Sequence, residues 1–181
     1  MPEVEPIVVC TGSEAISRAV ARYKNIVICG IQGVGKLTNT IKAVKGRLNV
    51  YLIENTFDFD GKTKAKGYER YINYLKSLKE DLIIFDSMFS ETGIAFSQSN
   101  EDRIIIIDGI FGRSPKEIEA ISGFFENYDV RVILIDRCIR YLEDMLNRFE
   151  IVIELTHDGA VLLPIETALE ICRVLNKTLD S

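Results

Sequence analysis

Short apolar runs alternate with amphipathic segments along the chain. The runs are rich in isoleucine and valine, which is typical of strands that are buried on both faces of a sheet. The segments between them have the apolar spacing of helices. The predicted strands span residues 7–10, 25–29, 49–54, 82–86, 103–108, 130–136, 151–155 and 161–163. The predicted helices span residues 13–22, 36–44, 68–78, 114–125, 139–146 and 165–177.

This alternation of strands and helices predicts an α/β fold, in which helices cover a parallel sheet. Asp158-Gly159 separates the last two predicted strands and is a hairpin signal, so we expect an antiparallel pair there. The chain contains no internal repeat, low-complexity segment or evident linker. We therefore expect a single domain over residues 1–181.

Composition narrows the class of protein only slightly. A net charge of −5 lacks the basic footprint of a protein that binds nucleic acid by itself, so nucleic acid is a possible partner but not an indicated one. Apolar runs stay well below the ~18 residues that span a membrane. The four cysteines are widely spaced and form no C-x-x-C pair. These features predict a cytoplasmic protein that does not cross a membrane.

The most informative segment is the G-I-Q-G-V-G-K-L-T run that follows the strand at 25–29. Its spacing, two glycines bracketing four residues before a lysine, is that of a phosphate-binding loop. Glycines allow turns that aim successive amide hydrogens at one anion, and the helix that follows adds its positive dipole end. The segment therefore predicts a site for a nucleoside triphosphate, ATP, formed by Gly30, Ile31, Gln32, Gly33, Val34, Gly35, Lys36, Leu37 and Thr38.

Leu37 departs from this pattern, which has Ser or Thr at its position as a ligand of Mg²⁺. Thr38 follows, but one residue along a helix turns a side chain by about 100°. Two interpretations are open. Either the loop shifts so that Thr38 reaches the metal, or the Mg²⁺ site is weak.

Carboxylates end four of the predicted strands: Glu54, Asp86, Asp108 and Asp136. In a parallel α/β sheet the ligand lies beyond the carboxyl ends of the strands, so all four belong to the right edge. Phosphate-loop enzymes use one such carboxylate toward Mg²⁺ and often a second one to activate water. Periodicity does not rank the four.

A family resemblance ranks them. Thr11-Gly12-Ser13 before the loop, the V-Y-L-I-E-N-T-F run at 50–57 and the D-R-I-I-I-I-D run at 102–108 are similar to segments of the RecA, RadA and KaiC-like P-loop ATPases. The resemblance implies a three-layer RecA-like fold, with a mostly parallel central sheet, a C-terminal antiparallel hairpin and a degenerate Walker A motif. It also implies that Glu54 activates water and that Asp108 is the Walker B aspartate toward Mg²⁺, with Asp86 as the alternative.

Three functions remain open at this point. The favoured one is an ATP-binding RecA-like protein, a slow Mg²⁺-dependent ATPase resembling a minimal recombinase paralogue, in which Lys36, Glu54 and Asp108 are catalytic. The second is a non-catalytic RecA-fold module that assembles with further copies of itself or with a RecA-like partner. The third is a small P-loop phosphotransferase with Asp86 as its base.

Four arginines follow strand ends or lie in the last third of the chain: Arg113, Arg137, Arg140 and Arg148. Each could form an ordinary surface ion pair. Alternatively, one of them could reach the triphosphate of a neighbouring subunit as an arginine finger.

Overall fold

Seven strands form one sheet in a computed structural model that describes residues 11–53, 67–85, 102–109, 119, 122–123, 125–126 and 129–179. The strands are β1 (Asn25–Cys29), β2 (Val50–Ile53), β3 (Ile83–Phe85), β4 (Ile104–Asp108), β5 (Arg131–Asp136), β6 (Ile151–Thr156) and β7 (Gly159–Pro164). Their order across the sheet is β3-β2-β4-β5-β1-β6-β7. Neighbours are parallel except for β6 and β7, which are antiparallel.

Helices cover both faces of the sheet. They are α1 (Gly12–Arg22), α2 (Lys36–Ala43), α3 (Tyr68–Leu78), a 3₁₀ helix (Ile139–Arg148) and α4 (Ile165–Leu179). Ile16, Ile41 and Leu75 of α1 to α3 belong to the core on one face. Leu142 of the 3₁₀ helix and Cys172 of α4 belong to the core on the other. The domain therefore has three layers, with the strands buried between the helices.

The predicted fold class is confirmed. The described residues form a mixed α/β structure with a mostly parallel sheet and a C-terminal antiparallel pair, an arrangement consistent with a RecA-like fold. The predicted strand at 7–10 lies outside the described residues. Of the predicted helix at 114–125, residues 119, 122, 123 and 125 are described and are helical.

One predicted helix has a different geometry. The segment predicted as an α-helix at 139–146 is a 3₁₀ helix that spans Ile139–Arg148. Its buried residues Ile139, Leu142 and Met145 recur every third position. A helix with three residues per turn places all three on one line facing the sheet, which an α-helix would spread over a wider arc.

The ends of β4 and β5 are tied together where the site will lie. Gly109 follows β4 with a φ of 82°, and its amide donates a hydrogen bond of 2.7 Å to the carbonyl of Ile135 in β5. Asp108 pairs with Ile135 in the sheet register, and Asp136 pairs with Cys29 of β1. The carboxyl ends of β1, β5 and β4 therefore meet at one edge. None of the described helices is long and apolar enough to cross a membrane.

Candidate functional site

The turn between β1 and α2 depends on its glycines. Gly30 has a φ of 151°, and a Cβ atom built on it would lie 2.5 Å from the carbonyl oxygen of Leu155. No larger residue fits there without moving β6. Gly35 has a φ of 79° and lies at the N-cap of α2, a conformation that glycine adopts at little cost.

The first turn of α2 is open to an anion. Gly35 supplies no side-chain cap, and the first turn contains no acidic residue. The first amide hydrogens of a helix have no partner within the helix, and its dipole favours negative charge beside them. Together with the glycine turn, this end of α2 has the donors and the charge that a phosphate group requires.

Lys36 lies across the glycine turn. Its Nζ donates hydrogen bonds of 2.6 Å to the carbonyl of Gly30 and 2.9 Å to that of Ile31. Burial lowers the pKa of the ammonium group, and the nearby carboxylates of Asp108 and Asp136 oppose that shift. A half-buried cation is therefore held at the loop by two carbonyls, for which a phosphate oxygen could substitute.

A cavity of about 560 Å³ opens between this loop and the ends of β4 and β5, and is termed here the strand-end cavity. It brings together Lys36, Thr38 and Asp108, three of the residues predicted from the sequence. Asp136 is only 3% exposed. The described residues that line the cavity are Gln32, Gly33, Gly35, Lys36, Leu37, Thr38, Tyr71, Asp108, Gly109, Ile135, Asp136 and Arg137.

A second cavity, of about 690 Å³, lies on the opposite side of the loop, next to the β6–β7 hairpin, and is termed the hairpin cavity. Its described lining residues are Thr11, Gly12, Glu14, Arg18, Gly33, Val34, Asn39, Leu155, Thr156, His157, Asp158 and Gly159. Gly33 lines both cavities. The loop therefore separates two recesses, and a ligand held at its amides could extend into both.

Leu37 serves the core as well as the cavity wall. It is 9% exposed and belongs to the core beneath α2. The buried positions of this helix are Leu37, Thr40 and Ile41, which lie on one face because they are three and four residues apart. Thr38 is half-buried and lines the strand-end cavity. The residue that replaces the usual hydroxyl ligand is thus an apolar contact of α2 with the sheet.

Strand order separates the two candidates for the Walker B aspartate. The strand of Asp108, β4, is two positions from β1, whereas β3, which precedes Asp86, is four positions away. With strands spaced by about 4.8 Å, these positions are roughly 10 Å and 19 Å from the loop strand. Asp86 itself lies outside the described residues. The topology therefore favours Asp108.

The remaining predicted catalytic residue, Glu54, also lies outside the described residues. The strand before it is described: β2 runs beside β4, with Ile53 paired to Ile107. The end of β2 is thus the neighbour of the end that carries Asp108. The role of Glu54 stays a prediction.

Several lining residues of both cavities had no signal in the sequence pattern. Tyr71 reaches the strand-end cavity from α3, although its position reads as part of an amphipathic helix. Glu14 and Arg18 reach the hairpin cavity from α1 and form an ion pair one helical turn apart. Only the Asp158-Gly159 hairpin signal could have located part of the second recess, because it fixes where β6 turns back.

Comparison with known proteins gives a likeness in structure alone. No protein-family model and no curated protein matches the chain. Among solved structures, the chain is similar to one whose title describes an ATPase domain, with 15% sequence identity over 88% of this chain and 89% of that one. The TM-score is 0.47. A likeness at this identity and score transfers no function.

Proposed function

We propose that this chain is a RecA-like nucleotide-binding domain that binds ATP at the glycine loop, with Mg²⁺ held on the side of Asp108. One observation carries the proposal: the Lys36 ammonium lies against the loop carbonyls of Gly30 and Ile31 in the same cavity as the Asp108 carboxylate. A cation for phosphate and a carboxylate for its metal then stand on opposite sides of the uncapped start of α2.

The phosphates fit the loop for electrostatic reasons. Amides of the glycine turn and the start of α2 donate to the β-phosphate, and Lys36 exchanges its bonds to Gly30 and Ile31 for bonds to phosphate oxygens. Charge-assisted hydrogen bonds of this kind are roughly twice as strong as neutral ones. The desolvation that lowers the pKa of Lys36 is relieved when an anion arrives.

The two recesses assign direction to the nucleotide. Asp108 lines the strand-end cavity, so the terminal phosphate points there. The nucleoside then leaves on the other side of the loop and lies in the hairpin cavity, near Asn39 and His157. That cavity, at about 690 Å³, has room for a base and its ribose.

Oxygen donors for Mg²⁺ are present in the strand-end cavity, since it is lined by the Asp108 carboxylate and the Thr38 hydroxyl. Mg²⁺, when bound, would neutralise charge on the phosphate oxygens. Asp108 would orient it, and Thr38 is the candidate hydroxyl ligand. Leu37 offers no oxygen and is a core residue, which supports a weak metal site.

The proposed activity is slow hydrolysis, with Glu54 activating the attacking water. A second function has a specific observation in its favour: Leu37 is committed to the core, which suits a module that binds nucleotide to stabilise an assembly without hydrolysing it. A phosphotransferase that uses Asp86 is less favoured, because the strand that precedes Asp86 is four positions from β1.

The test is a calorimetric titration of the purified chain with ATP and Mg²⁺, beside an assay of phosphate release. We expect binding by the wild type and a loss of about a hundredfold in affinity in Lys36→Met, because the charged partner of the phosphates is removed. Lys42→Met is the matched control, since Lys42 is an exposed lysine of the same helix.

The outcomes separate the alternatives. Binding with slow phosphate release supports the ATPase, and binding without release supports the assembly module. Wild-type protein that does not bind ATP, or equal affinities in Lys36→Met and Lys42→Met, would contradict the proposal. Thermal unfolding of each variant shows whether the fold is retained.

A further inference from the structure

The four arginines singled out in the sequence have different surroundings in the structure. Arg148 donates to the carboxylate of Glu126 and lies over the ring of Phe125. Arg140 lies over the ring of Tyr141 and donates to its hydroxyl. Arg113 is outside the described residues. Of the three described arginines of this set, Arg137 is the one that lines the strand-end cavity.

Strand order determines where Arg137 stands. It is the first residue after β5, and β5 lies between β1, which leads into the glycine loop, and β4, which ends at Asp108. Its position is therefore above the gap between the loop and the Walker B candidate. A phosphate chain that runs from the amides of α2 toward Asp108 must cross this gap.

The backbone at this point is held by a buried group. The Arg137 amide donates a hydrogen bond of 2.6 Å to Oδ1 of Asp136, a residue that is 3% exposed. The turn after β5 is thus fixed to the sheet edge, while the Arg137 residue is exposed at the mouth of the cavity. A fixed backbone and a long, exposed side chain suit a group that must meet a ligand entering from solvent.

Charge at the cavity supports the same role. Arg137 is close enough to Lys36 that its positive charge contributes to lowering the pKa of the Lys36 ammonium. The described charged residues lining the cavity are two cations, Lys36 and Arg137, and two carboxylates, Asp108 and Asp136. An incoming polyphosphate places its charge between the two cations, and a guanidinium can bind two phosphate oxygens at once.

We propose that Arg137 contacts the terminal phosphate of the nucleotide bound to its own chain and thereby makes the site prefer a triphosphate to a diphosphate. This inference rests on the proposed function. It differs from an arginine finger, which would act on the nucleotide of a neighbouring subunit. It also gives the site a second cation where Leu37 has removed a metal ligand.

Binding of MgATP and MgADP, measured by calorimetry on the full chain, tests this inference without relying on turnover. In Arg137→Ala we expect the affinity for ATP to fall about tenfold and that for ADP by less than about threefold. Arg137→Lys keeps the charge and should recover part of the loss. Arg140→Ala is the control, because it removes a nearby arginine that does not line the cavity.

A mixing experiment distinguishes action on the same chain from action on a neighbour. Arg137→Ala protein is combined with Lys36→Met protein, which retains Arg137 but has lost its own phosphate cation. Tight ATP binding restored in the mixture would mean that Arg137 acts on a neighbouring copy and would overturn the inference. We expect no restoration.

Other results are equally decisive. Equal losses for ATP and ADP in Arg137→Ala, or no loss for either, would contradict a contact with the terminal phosphate while leaving nucleotide binding intact. Wild-type protein that binds neither nucleotide would remove the proposed function and this inference together.

Discussion

The strand-end cavity and the hairpin cavity share one loop but are built differently. Asp108 and Asp136 come from the ends of strands buried in the middle of the sheet. The hairpin cavity takes Arg18 from an exposed helix face and His157 from a hairpin turn. The first set is fixed by the sheet itself, whereas the second depends on surface elements that can vary with little cost to the core.

This difference matches what each half of a nucleotide requires. Phosphate and metal chemistry needs charges held at defined positions, because electrostatic interactions depend steeply on geometry. A base and a ribose are bound mostly by contact and by a few hydrogen bonds. The protein has therefore put its charged groups on rigid strand ends and its adaptable groups on the turn.

The largest effect is expected from a substitution that removes both cavities at once. In Gly30→Ala, the new Cβ would lie 2.5 Å from the Leu155 carbonyl, so β6 must move away from the loop. We expect a loss of at least about 2 kcal/mol in the free energy of unfolding and no measurable ATP binding. Urea denaturation and calorimetry measure the two quantities.

Gly33→Ala is the control for this prediction. Gly33 also has a positive φ, of 88°, but a Cβ there meets nothing within 4 Å. Its cost should be limited to the backbone term of about 1 kcal/mol. The close approach of β6 to the loop would be unimportant if both variants lost the same stability.

A smaller and more selective effect is expected at the strand-end cavity. Asp108→Asn should lower the affinity for Mg²⁺ in the ATP complex by about tenfold, because it removes a charged group that orients the metal. Asp86→Asn should have no such effect, since the strand before it is four positions from β1. Titration of Mg²⁺ at a fixed ATP concentration measures the difference. The reverse ranking would transfer the Walker B role to Asp86.

Leu37 tests whether the core contact and the missing ligand can be separated. Leu37→Thr and Leu37→Val have the same shape and should each lose about 1 kcal/mol of stability, because both shorten a buried side chain. Only the threonine variant adds a hydroxyl at the cavity wall. We expect it to bind Mg²⁺ and to release phosphate about fivefold better than the valine variant. Equal activity in the two variants would show that the hydroxyl does not reach the metal.

The smallest effect is expected at the hairpin cavity. His157→Ala should weaken ATP binding only about two- to threefold, since His157 is an exposed residue of the turn. Binding of inorganic tripolyphosphate should not change, because this ligand has no nucleoside. A matching loss for tripolyphosphate would mean that the phosphates, and not the base, face the hairpin.

Local pattern was enough to predict the elements and the loop. The strand at Asn25–Cys29, the glycines after it and Lys36 lie within about a dozen residues, and their spacing alone indicates an anion site. The hairpin of β6 and β7 was predictable for the same reason, since Asp158-Gly159 separates two short strands. The 3₁₀ helix was not, because its three-residue spacing also fits one face of an α-helix.

Long-range pairing decided the rest. Asn25 pairs with Val132, far away along the chain, and this pairing puts β5 between the loop strand and β4. Neither the ranking of Asp108 over Asp86 nor the placement of Arg137 can be derived from spacing along the chain. Leu37 likewise reads as a lost ligand until α2 is seen packed on the sheet. Periodicity records which face of an element is apolar, whereas the order of strands depends on which apolar faces meet, and that is a property of the folded chain as a whole.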